Sequence, residues 1–230
     1  STFGDAFLVC RRYDLIDKLP SSVVNYINHG NNKLVPDTPK QNNPCFLTIK
    51  NHIIGNARLA AEGIKNWCEE QGIICKIISS EIEGEARKFG RKMADEITSF
   101  HAIQFPALFI GTGELTVDVQ GNGQGGPNQE MLANFLYEMT ANPTCNAIKE
   151  RWVILAGSFD GKEGNCPALG AIIDHTSLNR INSKNLSILK HLKDNNTYPL
   201  FHQLNDAIVL GNTGTNVNDI YILLRISKSY

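Results

Sequence analysis

The chain has 230 residues, of which 42% are hydrophobic and 20% charged, and its formal net charge is −1. This balance is ordinary for a globular protein, and the near-neutral charge excludes an electrostatic affinity for nucleic acid or for an anionic membrane surface. No apolar run approaches the roughly 20 residues of a spanning helix, and no signal-peptide pattern opens the chain, so we expect a cytoplasmic protein with no membrane partner.

The first part of the chain predicts two helical pieces and then a β-α-β unit. Residues 1–30 are predicted to be helical with a break near Pro20, and a loop with three prolines follows. A strand over residues 46–54, a helix ending at Gly72 and a short strand over residues 73–78 would form a parallel, right-handed unit.

The rest of the chain continues to alternate helices and strands. A helix over residues 83–100 carries interleaved charges, which predict a solvated face. Beyond Pro106 the pattern predicts strands at 107–110, 115–120 and 152–156, a helix after Pro127, helices near 182–205, and strands at 207–210 and 220–226. Six cysteines, at positions 10, 45, 68, 75, 145 and 166, form no C-x-x-C pair, which favours buried free thiols over a structural zinc site.

A glycine-rich run at residues 121–130 separates an alternating strand pattern from the start of a helix. Such a turn can present free N–H groups and the positive end of a helix dipole to a phosphate or carboxylate. Gly121, Gly123 and Gly126 also match the dinucleotide fingerprint G-x-G-x-x-G, which keeps a nicotinamide-dependent oxidoreductase open as an alternative. The polar residues of the preceding strand pattern argue against that alternative, and a glycine-lined connection without a ligand is the simplest explanation.

Two further loops follow predicted strands, at the position where open α/β sheets bind ligands. Residues 157–164 carry Asp160 and Glu163, a pair that could hold Mg²⁺ or act as a general base, although Asp-Gly is also a common turn sequence. Residues 211–219 are dense in Asn, Thr, Asp and Gly, which suits an oxygen-rich substrate or a self-bonded turn network. We expect this loop to face one cleft together with residues 121–130.

Four segments, in order, resemble the MOFRL region of class II glycerate 2-kinases, a family often labelled hydroxypyruvate reductase. They are Gly-Glu-Leu-Thr-Val at 113–117, Gly-Gln-Gly-Gly-Pro-Asn-Gln-Glu at 123–130, Asp-Gly-Lys-Glu-Gly at 160–164 and Thr-Gly-Thr-Asn-Val-Asn-Asp at 213–219. Upstream, Ser-Thr-Phe at 1–3, Ile-Gly-Asn at 54–56 and Glu-Gly-Glu-Ala at 83–86 resemble the later part of the family's preceding domain.

The resemblance implies an α/β fold in which a Rossmann-like layered segment, residues 1–105, precedes a mixed α/β MOFRL-type domain, residues 106–230. It implies ATP- and Mg²⁺-dependent phosphorylation of D-glycerate to 2-phosphoglycerate, with a hydroxy acid and a nucleotide as ligands. Asp160 and Glu163 are the candidate catalytic residues, and Asp160 is the candidate metal ligand. The candidate substrate- and phosphate-binding residues are Glu114, Gly125, Gly126, Asn128, Gln129, Glu130, Asn195, Thr213, Gly214, Thr215, Asn216, Asn218 and Asp219.

The chain departs from the family pattern at charged positions. Pro127 replaces an arginine in Gly-Gly-Arg-Asn-Gln-Glu, and Asn196 replaces an acid. Because phosphoryl transfer depends on neutralising charge, we expect this chain alone to be impaired or inactive. It would then be part of a longer kinase that supplies an upstream segment, or a diverged, non-catalytic binding or assembly subunit. The other candidate cations, Arg58 and Arg87, are predicted to lie on solvated helix faces.

Overall fold

The structure is a computed structural model that describes residues 1–97, 105–141 and 151–226. The chain divides into two compact units, Ser1–Ile53 and Ile54–Tyr230. The first unit contains helices α1 (Phe3–Arg12) and α2 (Ser21–Asn31), which confirms the predicted pair of helices, and a 3₁₀ turn at Pro44–Phe46. Thr2 and Asp5 form a capping box that satisfies the first N–H groups of α1.

The second unit is built on a mixed six-stranded sheet with the order β1-β2-β6-β3-β4-β5. β1 and β2 are parallel, and every other neighbouring pair is antiparallel. Most of these strands are rich in β-branched and aliphatic residues, which favour the strand conformation. The strands are β1 (Ile74–Glu85), β2 (Ala107–Thr116), β3 (Arg151–Ser158), β4 (Gly170–Asp174), β5 (Ala207–Ile208) and β6 (Asp219–Ile226).

Helix α5 (Pro127–Ala141) lies at the centre of the larger hydrophobic core. Its apolar side chains are almost wholly buried, and Phe135 packs edge-on against Trp152 of β3 with the ring centroids 5.6 Å apart. The free backbone N–H groups at the start of a buried helix need hydrogen-bond partners from the protein. The N–H groups at the N-terminus of α5 therefore require such partners. The other helices of this unit are α3 (Ala57–Glu70), α4 (Ala86–Glu96), α5 (Pro127–Ala141), α6 (Ser177–Ser183), α7 (Ile188–Lys193) and α8 (Thr197–Leu204).

The predicted strand over residues 46–54 is wrong, and with it the first β-α-β unit. Beyond the 3₁₀ turn this segment has no regular structure, and Leu47, Ile53 and Ile54 are strongly exposed. Apolar content alone cannot form a strand without a neighbour to complete its hydrogen bonds. The parallel pair lies further along the chain, where α4 leads from β1 towards β2.

Other boundaries also differ from the prediction. Residues 83–85 end β1 rather than begin a helix, and residues 98–100 of that predicted helix lie outside the described residues. Residues 107–110 and 115–116 belong to one strand, and the alternation at 117–120 is not a strand. β4, five residues long, was not predicted.

The α/β class is confirmed, and so are helix α5 and the strands β3 and β6 of the second half. The proposed domain boundary at residues 105/106 stays a prediction, since the neighbouring strands β1 and β2 come from either side of it. Cys10, Cys68, Cys75 and Cys166 are buried free thiols as expected, Cys45 is free but exposed, and Cys145 lies outside the described residues. Within the described part of the chain, no helix combines the length and apolarity needed to cross a bilayer.

Candidate functional site

The N-terminus of α5 is occupied by a carboxylate of the protein itself. Glu163 is buried, and its two oxygens accept hydrogen bonds from the backbone N–H groups of Asn128 (2.6 Å) and Gln129 (3.1 Å) and from the side-chain amide of Gln129 (2.8 Å). Helix N-termini favour acceptor groups, and at α5 the N–H groups of Asn128 and Gln129 are already bonded to Glu163, so binding of an external anion at this point stays a prediction. Burial raises the pKa of Glu163 to about 8, although these three donors favour its ionised form.

The glycine-rich run is also bound to protein groups. The N–H groups of Asn122, Gln124 and Gly125 donate to the side chains of Asp194, Asn196 and Asn165 respectively. Gly123 donates to the carbonyl of Asp194, and a Cβ at Gly123 would come within 2.5 Å of that same oxygen. Close packing against residues 194–196 therefore explains Gly121 and Gly123, while a Cβ at Gly125 would meet Thr197 and one at Gly126 would meet Glu163.

A second buried network joins α4, α5 and the segment after α7. Arg87 pairs with the buried carboxylate of Glu130 at 2.5 Å and donates to the carbonyl of Leu192. Asn195 donates to Glu130 and accepts from the N–H groups of Gln120 and Gly121. Glu130 and Asn195 therefore serve as internal braces, and their predicted ligand-binding role stays a prediction.

Arg87 is not on a solvated helix face, as the sequence analysis expected; that prediction is wrong because the buried Glu130 requires a partner. Arg58 is exposed as predicted and pairs with Glu62 on the same helix. The network around Arg87 joins residues more than 40 positions apart, so local sequence patterns contain no signal for it.

A cleft of about 170 Å³ lies beside the α5 N-terminus, at one end of the sheet. It is lined by the start of α5, the loop after β3, the loop before β6 and the C-terminal end of β2. Its lining residues are Glu114, Leu115, Pro127, Ser158, Asp160, Lys162, Glu163, Gly164, Asn216, Asn218 and Asp219. The start of α5 and the 213–219 loop thus share one cleft, but Gly121–Gly126 do not line it.

The loop before β6 is partly bonded to itself and partly open. The Thr213 hydroxyl lies within hydrogen-bond range of the carbonyls of Phe159 and Thr215, and the Asn216 side chain accepts from the N–H group of Asn218. Gly214, Thr215 and Asn216 are nevertheless exposed and line a second, shallower cavity with Asp160 and Lys162. A self-bonded turn and an exposed polar surface are therefore both present in this loop, and its ligand-binding role stays a prediction.

Asp160 is half-buried and is held in position by its own loop. Its Oδ1 atom accepts from the N–H group of Lys162 at 3.0 Å, and its carbonyl accepts from the N–H group of Thr213. No described residue donates a hydrogen bond to its Oδ2 atom. Of the two predicted catalytic carboxylates, Asp160 has an oxygen available to a ligand, whereas both oxygens of Glu163 are engaged at the α5 N-terminus.

Asn128 and Asp219 form the buried wall behind the cleft. Burial raises the pKa of Asp219, while the nearby Ser158 and Asn128 side chains oppose that rise. The Asn128 side chain is fully buried and lies beside the Asp219 carboxyl group.

Two further predictions can be compared with this geometry. No three histidine, cysteine, aspartate or glutamate side chains among the described residues are grouped closely enough to hold a metal ion. The dinucleotide fingerprint lacks its structural context, because four residues separate Gly121 from the end of β2 and Glu163 already occupies the helix N-terminus that a pyrophosphate would need.

Known proteins match both the sequence and the fold. Residues 107–219 match the model of the MOFRL family. The chain is 29% identical to a glycerate 2-kinase of Pyrococcus horikoshii, covering 99% of this chain and 50% of that protein, and 29% identical to a D-glycerate 2-kinase of Thermotoga maritima, covering 96% and 49%. The crystal structure of glycerate kinase from T. maritima superposes with a TM-score of 0.76 at 28% identity, covering 98% of this chain and 51% of that structure. The chain thus spans about half the length of these relatives.

Proposed function

Because residues 107–219 belong to the MOFRL family and nearly the whole chain is homologous to glycerate 2-kinases, we propose that this protein takes part in phosphorylating D-glycerate to 2-phosphoglycerate in the cytoplasm. ATP is the proposed phosphoryl donor and Mg²⁺ the proposed cofactor. The observation that carries the proposal is the cleft, where Asp160 presents a free carboxylate oxygen beside the polar loop 213–219.

The residues that line the cleft fit Mg²⁺ of the kind found in kinases. Such an ion takes oxygen ligands, and it is commonly bound by one or two carboxylates while water and substrate phosphates complete its shell. Asp160 supplies a carboxylate, Asn216 and Asn218 supply amide oxygens, and no thiol or imidazole lines the cleft. That no cluster of three histidine, cysteine, aspartate or glutamate side chains occurs among the residues that the structure describes is compatible with this mode of binding.

In the proposed reaction, Asp160 is the residue that would hold Mg²⁺, which when bound would neutralise charge on the transferred phosphoryl group. Asp160 Oδ2 is alternatively the group that accepts the proton of the glycerate 2-hydroxyl, because Oδ1 is fixed by the N–H group of Lys162. Asn216 and Asn218 orient the hydroxy acid through their amides. Glu163 does not contact the substrate; it fixes the start of α5, on which one wall of the cleft depends.

The test is Asp160→Asn in the complete gene product, assayed for ATP-dependent formation of 2-phosphoglycerate. We expect turnover to fall by at least about a hundredfold, because the amide cannot accept the proton and binds Mg²⁺ poorly. Asp194→Asn is the matched control, since Asp194 lies outside the cleft and its amide oxygen can still accept from Asn122. Unchanged turnover in Asp160→Asn would contradict the assignment.

A non-catalytic binding or assembly subunit is the second candidate, and Pro127 favours it. This residue lines the cleft with neither a charge nor an N–H group, at a position where the family resemblance implies arginine. A complete gene product that binds glycerate but forms no 2-phosphoglycerate would support this second function. Turnover comparable with that of ordinary kinases, roughly 1–100 s⁻¹, would exclude it.

A further inference from the structure

The cleft has a marked imbalance of charge. Four of its lining residues carry carboxyl groups: Glu114 and Asp160, and the buried Glu163 and Asp219, whose pKa values are raised by burial; a single lining residue, Lys162, is cationic. A carboxylate or phosphate entering such a cleft is repelled unless a cation faces it. Any anionic ligand therefore depends on Lys162 or on a metal ion.

Lys162 projects from a loop whose backbone is fixed at several points. The N–H group of Lys162 donates to Asp160, and the next residue, Glu163, donates its N–H group to the carbonyl of Ala168. Gly161 has a φ of +94° and packs against the carbonyl of Gly211, so a side chain there would be strained and would also clash. The Lys162 side chain thus starts from a fixed point at the rim of the cleft.

The Lys162 side chain itself is uncommitted. It is exposed, it lines both the cleft and the shallower cavity of the 211–216 loop, and no described carboxylate lies within ion-pair distance of its ammonium group. The two other candidate cations, Arg87 and Arg58, are not available to bind an anion in this cleft, because Arg87 is bound to Glu130 and Arg58 pairs with Glu62 on α3. Among the described residues that line this cleft, Lys162 is the one cation that can turn towards a ligand.

We propose that the Lys162 ammonium group binds the anionic end of the ligand in this cleft, the carboxylate of glycerate or a phosphate group, and so supplies the positive charge that Pro127 does not. This inference rests on the proposed function, because it takes the cleft to be the site of the hydroxy acid. It assigns to Lys162 a role in binding and specificity that family resemblance does not imply.

The test compares the binding of three probes: D-glycerate, inorganic phosphate and glycerol, the neutral analogue of glycerate. Binding is measured by NMR at low ionic strength with the lysine ε-carbons labelled with ¹³C, so that weak association is still detected. In the wild-type chain we expect a saturable shift of the Lys162 signal with D-glycerate or phosphate and none with glycerol. Lys162→Met should weaken binding of the anion by about tenfold, as expected for the loss of one ion pair, and Lys162→Arg should largely restore it.

Lys190→Met is the matched control, because Lys190 is exposed on α7 and does not line the cleft. If Lys162→Met weakens the binding of phosphate alone, Lys162 binds the phosphoryl group. If it weakens the binding of D-glycerate alone, Lys162 binds the carboxylate of the hydroxy acid. Anion binding that is equal in wild type and Lys162→Met, or an absence of any Lys162 shift with both anions, would overturn the inference. Either result leaves the kinase proposal to be decided separately by the Asp160→Asn assay.

Discussion

Two polar loops of this protein have similar sequence character but opposite roles in the structure. In the glycine-rich run 121–126 and at the start of α5, the N–H groups donate to groups of the protein itself, chiefly Glu163 and residues 194–196. The 213–219 loop leaves much of its polar surface exposed along the cleft. A glycine-rich turn before a helix is therefore no evidence for a bound ligand until its N–H groups have been accounted for.

The largest effect is expected for Glu163→Ala, which removes the internal hydrogen-bond acceptor of the first region. Three buried donors, the N–H groups of Asn128 and Gln129 and the Gln129 amide, would lose their acceptor. Unsatisfied buried donors cost about 1–3 kcal/mol each, so we expect the free energy of unfolding to fall by about 3 kcal/mol or more. Urea denaturation measures it, and a loss below about 1 kcal/mol would show that Glu163 does not brace α5.

Asn195→Ala should destabilise the protein by about 2 kcal/mol, because Asn195 is buried and bonds to Gln120, Gly121 and Glu130 at once. The neighbouring Asn196→Ala is the control, since the Asn196 side chain accepts one hydrogen bond, from Gln124, and should cost about 1 kcal/mol. Thermal unfolding of both variants gives the comparison. Equal losses would contradict the view that Asn195 holds the glycine-rich run.

The free energy of unfolding is expected to depend on pH through the buried carboxyl group of Glu163. The pKa of Glu163 rises from 4.5 to about 8 on folding, so between these values the folded protein binds more protons than the unfolded chain. Its contribution to stability is fully present below about pH 4.5 and is lost as the pH rises towards 8. Glu130, Asp206 and Asp219 also have raised pKa values and add to the same trend.

Glu163→Gln isolates this contribution because glutamine does not titrate. We expect the variant to lose less stability than wild type between pH 4.5 and pH 8, with the pH dependence of the other three carboxyl groups left in place. The free energy of unfolding is measured across this window for both proteins. Parallel curves would mean that Glu163 has an ordinary pKa in the folded state.

The smallest stability effect is expected in the second region. Thr213 is exposed, so Thr213→Val should reduce the free energy of unfolding by less than about 1 kcal/mol even though the Thr213 hydroxyl bonds within the loop. Affinity for D-glycerate should fall more noticeably, because the turn that presents Asn216 is loosened. Chemical denaturation measures the change in stability, and a glycerate titration of the same variant measures the change in affinity. A large loss of stability would contradict the view that the 213–219 loop contributes little to stability.

The sequence predicts elements whose pattern is long and periodic, such as α3, α5, β3 and β6. It fails at residues 46–54 because apolar residues there have no strand to pair with, and at β4 because five residues are too few to show a period. It places Asp160 and the 213–219 loop correctly beyond strand ends. It cannot show that Glu163 reaches the start of α5 across some 35 residues, since that contact depends on tertiary packing.

The central claim is that ligands bind at the cleft of Asp160 and the 213–219 loop and not at the glycine-rich run. The most direct measurement is a titration of the ¹⁵N-labelled chain with D-glycerate in the presence of Mg²⁺, followed by backbone amide NMR. The account predicts saturable shifts at Asp160, Lys162, Asn216 and Asn218, with the amides of Gly121, Gly123 and Gly125 unmoved. Shifts centred on those glycines, with the cleft residues unaffected, would contradict it.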